Sequence, residues 1–408
     1  MADANQSRVG PTRRDYVKYG GAVISGGLLA GCGSGGGEET PTKGDETSPE
    51  PMGSSTETPV ETPYSVTMEP TGTVEFDAVP ETWLAFLSTY GDMGIALGQA
   101  DGLQGLWNAE NVPVEFYDAL PGVEVDLSGV TTITGENGVD TETLYALDCD
   151  LHLVDPNWLE LIADNWDGDD TAEISEQVGP FLGNYIRRRG DDWHDYPYYS
   201  LYEAFEKVAA AFRERERFQA LRSVHEGMQS TISEQLPATE DRPTVGLLSV
   251  NSDFEGGSFY VYPVQDGNNH KQYRDLEMRG AFDEHIDGSY AQWDYEQLLE
   301  VDPDAMVFQY GFTHVSTDEF ANKVAAMRED PLGGQLSAVQ NDRLYRGGTS
   351  YQGPVVNFFQ TEAAAKQFYP EAFGEWPGYT DDDKYPDFSE DEQLFDHQRV
   401  ADIINGAI

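Results

Sequence analysis

Asp140-Thr-Glu142-Thr-Leu144-Tyr-Ala-Leu147-Asp148-Cys149-Asp150-Leu-His-Leu-Val154 aligns without a gap on Asp294-Tyr-Glu296-Gln-Leu298-Leu-Glu-Val301-Asp302-Pro303-Asp304-Ala-Met-Val-Phe308. Each copy opens on an Asp able to cap a helix, places a Glu in the first turn, and runs through apolar residues to a turn and an apolar strand. The same helix-turn-strand unit on either side of the chain's middle predicts two α/β lobes of related design. Between the copies, Phe218, Leu221, His225, Met228 and Ile232 fall at steps of three and four. That spacing marks one amphipathic helix, ended by Pro237 and Pro243. Buried-strand patterns follow at Thr244–Val250, Ser258–Tyr262 and Met306–Gln309. The expected architecture is two Rossmann-like lobes, residues 71–215 and 238–408, joined by a single long helix at 216–237, with a ligand cleft between them.

Of 408 residues, 74 are acidic and 24 basic, a formal charge of -50. Hydrophobic residues at 39% and aromatics at 12% are too many for an acidic disordered chain. A compact chain of this charge repels itself. In molar salt the Debye length falls to about 3 Å and most of that repulsion is screened, so the composition points to an extreme halophile. Polyanionic nucleic acid is excluded as a partner. Cys32 and Cys149 are the only cysteines, in settings too different to pair and too few to build a metal site.

The first 32 residues read as an address. Arg13-Arg14 precedes a weakly hydrophobic, Gly-rich run ending in Leu29-Ala30-Gly31-Cys32. The arginine pair resembles a twin-arginine signal and the tetrapeptide a lipobox whose cysteine takes the lipid. The apolar run falls short of the ~20 residues a spanning helix needs. Residues 33–70 are Gly, Ser, Thr, Pro and Glu with few large apolar side chains, which predicts a disordered tether. The chain is therefore expected to be exported folded and held by lipid on the outer face of the cell membrane.

With its helix-bridged lobes and lipobox, the chain resembles the solute-binding proteins for ferric siderophores, haem and vitamin B12, in a haloarchaeal lipoprotein form. The likeness runs from about Thr73 to Phe373. It rests on the duplicated phrase Glu-x-Leu-x-x-Leu-x-Pro-Asp, with Cys149 in place of the first proline, and on Pro331-Leu332-Gly-Gly-Gln-Leu-Ser-Ala-Val339-Gln-Asn-Asp-Arg343-Leu-Tyr345 before a Gly-rich loop and Tyr351. The resemblance implies delivery of a chelated-metal nutrient, foremost a ferric siderophore, to an ABC permease and its ATPase, without enzymatic activity or a resident cofactor. It also implies that Glu142 and Glu296, one per lobe, dock on permease arginines; the plainer reading is that each favours a helix N-terminus. Haem and vitamin B12 remain alternatives within the frame, and a structural surface lipoprotein the alternative outside it.

Open α/β sheets bind ligands beyond the carboxyl ends of their strands. This selects Trp83, Trp107 and Trp158 in the first lobe and the Arg187, Arg188, Arg189, Trp193, His194 loop near the hinge. In the second lobe it selects Tyr260, Arg279, Tyr310, His314 and Tyr351. Arginine with tryptophan suits a bulky, anionic chelate. The arginines could equally form a solvated helix end paired with Asp191 and Asp192, and the aromatics could be core. Tyrosine and histidine can ligate iron, but no metal ligands are assigned. There is no Gly-x-Ser-x-Gly and no His-Glu-x-x-His, the seven histidines are dispersed, and His225-Glu226 belongs to the bridging helix. If screening sustains the fold, the thermal midpoint should fall by tens of degrees between molar and millimolar salt, followed by far-ultraviolet circular dichroism; an unchanged midpoint contradicts it.

Overall fold

A computed structural model describes residues 62–408, apart from 108, 110, 111, 136, 137, 140, 164, 189–192, 381 and 382. The signal, Cys32 and the tether up to residue 61 lie outside the described residues. The tether does not reach residue 70. Tyr64–Met68 (β1) pairs antiparallel with Gly72–Phe76 (β2), and their alternation turns Val66, Met68, Val74 and Phe76 into the core.

In the first lobe, Trp83–Ala85 (β3) leads into Ser88–Ala96 (α1), Leu103–Leu106 (β4), Glu115–Asp118 (α2) and Thr131–Thr132 (β5). A small hairpin, Thr134–Gly135 (β6) with Gly138–Val139 (β7), precedes Thr141–Leu147 (α3), Leu151–Leu153 (β8), Pro156–Ile162 (α4), Gly168–Gln177 (α5) and Leu201–Ala211 (α6). The sheet is parallel, in the order β5-β4-β3-β8. Arg215–Gln235 (α7) is the predicted bridge, and Phe218, Leu221, Met228 and Ile232 are its buried stripe.

In the second lobe come Thr244–Ser249 (β9), Phe259–Tyr262 (β10), Lys271–Asp275 (α8), Arg279–Gly280 (β11), Ala291–Trp293 (β12), Tyr295–Val301 (α9) and Ala305–Gln309 (β13). Gly311–His314 (α10), Thr317–Glu329 (α11), Ser337–Gln340 (α12), Leu344–Arg346 (β14), Pro354–Phe368 (α13), Pro370–Phe373 (α14) and His397–Ile404 (α15) complete the chain. The sheet order is β12-β10-β9-β13-β14, with β11 also on β9; β11, β13 and β14 run in the direction of β9, and β10 and β12 make antiparallel pairs. Leu248, Met306, Phe308 and Phe259 fill the outer core, and Val245, Leu247, Ala305 and Val307 join a central core shared with the first lobe.

The sequence repeat is a structural repeat. Asp148 and Asp302 both end their helices in the left-handed region at φ 47°. Two residues on, Asp150 Oδ2 accepts from Thr82 N (2.9 Å) and Oγ1 (3.0 Å), while Thr82 Oγ1 accepts from Asp150 N (3.1 Å). Asp304 Oδ2 accepts from Thr244 N and Oγ1 (2.8 Å each), and Thr244 Oγ1 accepts from Asp304 N (3.2 Å). Each clasp fastens the start of one strand to its central neighbour, β8 to β3 and β13 to β9. Burial would raise the Asp150 carboxyl, but the Thr82 and Glu81 bonds outweigh it and hold it below its ordinary range. Cys149, where the second copy has Pro303, is buried in the turn, its thiol pushed up to about 12 by burial and then by Asp150 and Asp148.

The second lobe is not a separate body running to the C-terminus. All fifteen residues of α13 are buried, and the helix packs on α1, α2 and α6 of the first lobe as well as on α8. Helix α15 returns to the bridging helix, and Asn405 Nδ2 donates to Gly122 O at 3.0 Å. Asp304→Ala should lower stability by about 1 kcal/mol, the worth of a net hydrogen bond or two, while Glu300→Ala on the exposed side of α9 stays within about 0.5 kcal/mol. Denaturant unfolding in molar salt measures both; equal effects would remove the clasp's structural role.

Candidate functional site

The carboxyl ends of β3, β4, β8, β9 and β13 converge on a cavity of about 350 Å³ between the lobes. Phe86, Leu87, Ser88, Trp107 and Trp158 wall it from the first lobe, and Asn251, Tyr310, His314 and Tyr351 from the second. Trp107 meets Phe86 edge-on at 3.9 Å between centroids. Trp158, in the first turn of α4, stacks on Tyr185 at 4.2 Å and 19°. Asp155 fixes that corner: its side chain accepts from Asn157 N (3.0 Å), Tyr185 N (2.7 Å) and Tyr196 Oη (2.6 Å). Burial pushes its carboxyl up to about 6, and these bonds offset the effect only in part.

Behind the tyrosines lies Arg187. Its Nη2 donates to Tyr310 Oη at 2.9 Å and its guanidinium sits 4.5 Å from the centre of the Tyr351 ring. Tyr310 has φ 62°, a left-handed conformation that costs a tyrosine on the order of 1 kcal/mol or more. Ser350 Oγ, donating to Tyr310 Oη at 2.7 Å, helps hold it there. Burial raises the Tyr351 phenol above its usual range despite Arg187, so it enters the cavity as a neutral hydroxyl. Burial also lowers the basicity of His314. The described lining contains no carboxylate, in a chain with 74 of them.

The periplasmic binding protein family profile matches residues 87–351, more than half of the chain. The chain belongs to the periplasmic binding protein family. Members of this family are substrate-binding proteins, not enzymes. Among curated proteins no sequence matches. Among solved structures, a periplasmic solute binding protein from Veillonella parvula is similar at TM-score 0.55 and 14% identity, over 77% of this chain and 89% of that one. The iron uptake ABC transporter substrate-binding protein PiuA of Streptococcus pneumoniae gives 0.52 and 15%, over 76% and 99%. The heme binding protein HmuT gives 0.52 and 16%, over 78% and 93%. These likenesses show the two-lobe fold.

In this periplasmic binding protein, five of the expected contacts line the cavity: Trp107, Trp158, Tyr310, His314 and Tyr351. Arg187 backs them, and Arg188 is half-exposed beside it. Trp193 and His194 stand behind the wall, Trp193 packed on Trp158 and Tyr185, and His194 on Tyr196 and Tyr198. Arg189 lies outside the described residues. Trp83 is fully buried, with Nε1 donating to Gln99 O at 2.9 Å, because it starts β3 and only the end of that strand reaches the cleft. Arg279 stands at the opposite edge of the sheet. It pairs with Thr244 at the start of β9 and lines a separate cavity with Arg242 and Arg343. Tyr260 is exposed and is not part of the cavity wall. Phe86, Leu87 and Ser88 follow β3, a strand of three residues too short to stand out, whereas Asn251 directly follows the legible strand at Thr244–Val250 and is a contact the strand-end rule could have found. Among the described residues no group of three or more His, Cys, Asp or Glu could hold a metal ion.

One contact between the lobes and one within the second lobe fix the Tyr351 wall. Ser88 Oγ donates to Tyr351 O at 2.9 Å, and Gln352 Nε2 to Asn268 O at 2.7 Å. Asp92 of α1 caps α13, accepting from Val356 N at 3.1 Å, and Tyr117 donates its hydroxyl to the same carboxylate. Burial pushes Asp92 up to about 7, only partly offset by the Tyr117 and Val356 bonds. Its unfolded value is about 3.9. Between those values the native state holds a proton the unfolded state has lost, so Asp92 costs stability as pH rises toward 7. Asp92→Asn should therefore gain on the wild type between pH 4.5 and 7.5, at up to about 1.4 kcal/mol per pH unit. Denaturant unfolding at both pH values checks this; parallel profiles would refute it.

Proposed function

We propose that this periplasmic binding protein delivers a ferric siderophore to an ABC importer. The observation that carries the ligand assignment is the cavity's composition: tryptophans, tyrosines and a backing guanidinium, with no carboxylate in its described lining despite a chain charge of -50. Such a wall repels an anionic chelate less than a carboxylate-bearing surface would. Its rings supply contact area at little rotamer cost, and Arg187 supplies a cation bonded to the lining residue Tyr310. A ferric chelate is bulky, flat-faced and rich in oxygen anions. The fold neighbours named for iron uptake and for heme binding lend support.

A haem reading is favoured by one observation, the presence of Tyr310, His314 and Tyr351 on a single wall, since phenolate and imidazole are haem-iron ligands. Vitamin B12 would use the same aromatic surface.

Glu142 and Glu296 occupy matching exposed positions in the first turns of α3 and α9, one per lobe, and so present a charge pair to permease arginines. The proposal includes twin-arginine export in the folded state and lipid anchoring at Cys32 on the outer face of the membrane. Reversing both charges, Glu142→Arg with Glu296→Arg, should cut uptake of iron presented as a ferric siderophore at least tenfold while leaving its Kd within twofold, because the cavity lies elsewhere. Uptake at the wild-type rate would contradict docking, and failure of the wild type to bind any ferric siderophore would contradict the ligand assignment.

A further inference from the structure

Strand β10 alternates. Phe259 and Val261 enter the outer core, so Tyr260 and Tyr262 stand on the other face of the sheet, the face whose β9 and β13 residues Leu247 and Val307 pack toward the first lobe. Tyr262 is half-buried against that central core, and Tyr260 N donates to Ser252 Oγ at 3.0 Å, one residue from Asn251 of the cavity wall. Outward from it the cover ends. Tyr290 packs its ring 6.3 Å from that of Tyr262 and 6.0 Å from that of Tyr260. Tyr290 is 58% exposed and Tyr260 38% exposed, two of only five large hydrophobic side chains so exposed among the described residues.

A row of phenol rings, Tyr262, Tyr290 and Tyr260, therefore runs beside the cavity wall and out onto open surface. The cavity itself is about 350 Å³, near the lower bound of roughly 300 Å³ for small-molecule sites. A bulky chelate overhangs it, and the tyrosine row is a surface on which the overhang can rest. We propose that Tyr260 and Tyr290 form an aromatic shelf that selects chelates whose arms carry aryl rings over chelates with aliphatic arms. This rests on the chelate-binding reading above. Edge-on or offset contact with a flat arm suits the 6.0 Å pair, and an aliphatic arm gains no such ring contact.

The test uses the full chain in molar salt, with a ferric tris-catecholate and the ferric complex of a linear aliphatic trihydroxamate as probes. The wild type should bind the catecholate at least tenfold more tightly. Tyr260→Ala with Tyr290→Ala should erase that preference by weakening the catecholate alone, with the thermal midpoint unchanged, and Tyr260→Phe with Tyr290→Phe should keep it. Equal affinity of the wild type for both probes, or a preference that survives the double alanine variant, overturns the shelf. Lost uptake with unchanged binding also overturns it and moves the tyrosines to the permease interface. Binding of neither probe by the wild type overturns the chelate reading and the shelf with it.

Discussion

Helix α13 is buried along its whole length yet carries Asn357, Gln360, Glu362 and Lys366, and the segments before and after it in the chain are arranged to partner those groups. A buried charge left alone costs several kcal/mol. Glu362 accepts from the Tyr385 hydroxyl at 2.7 Å and lies 3.3 Å from His397. Lys366 donates to the carbonyls of Phe373 and Glu392. Gln360 donates to Gln352 Oε1 at 2.8 Å and accepts from Thr349 N at 2.6 Å. Thr349 and Gln352 flank Tyr351, so satisfying the helix also positions the cavity wall.

The C-terminal segment extends the same logic to α10. Arg346 donates to Gly311 O (2.6 Å) and Phe312 O (3.3 Å), and to Asp383 Oδ1 (2.6 Å). Its guanidinium lies 5.5 and 5.1 Å from the ring centres of Phe312 and Tyr379, which pack on each other at 4.4 Å. Phe312 in turn stacks on Phe116 of the first lobe at 4.6 Å. The helix that carries His314 is thus tied to both lobes through groups far from it in sequence.

Local chemistry was legible; long-range partnership was not. The duplicated phrase yields α3 to β8 and α9 to β13 because capping, apolar spacing and strand pattern all act over a few residues. The bridging helix is legible in the same way. Strand-end reasoning finds Trp107, Trp158, Tyr310, His314 and Tyr351. It fails for Trp83 and Arg279, where the side chain belongs to the start of a strand and not its end. Strand β1 is hidden by its polar surroundings, since Val66 and Met68 alternate over only five residues. Thr82 and Thr244, Asp92, and the buried polar side of α13 have no local signature, because each acquires its meaning from a partner in another element.

Tryptophan fluorescence in molar salt tests the central claim directly, because Trp107 and Trp158 line the cavity. Titration with a ferric siderophore should give saturable, one-site quenching that is largely lost in Trp107→Phe with Trp158→Phe and is not reproduced by buffer or free citrate. No saturable response to ferric siderophores, haem or cobalamin, or quenching unaltered in the double variant, would contradict a chelate held between these lobes.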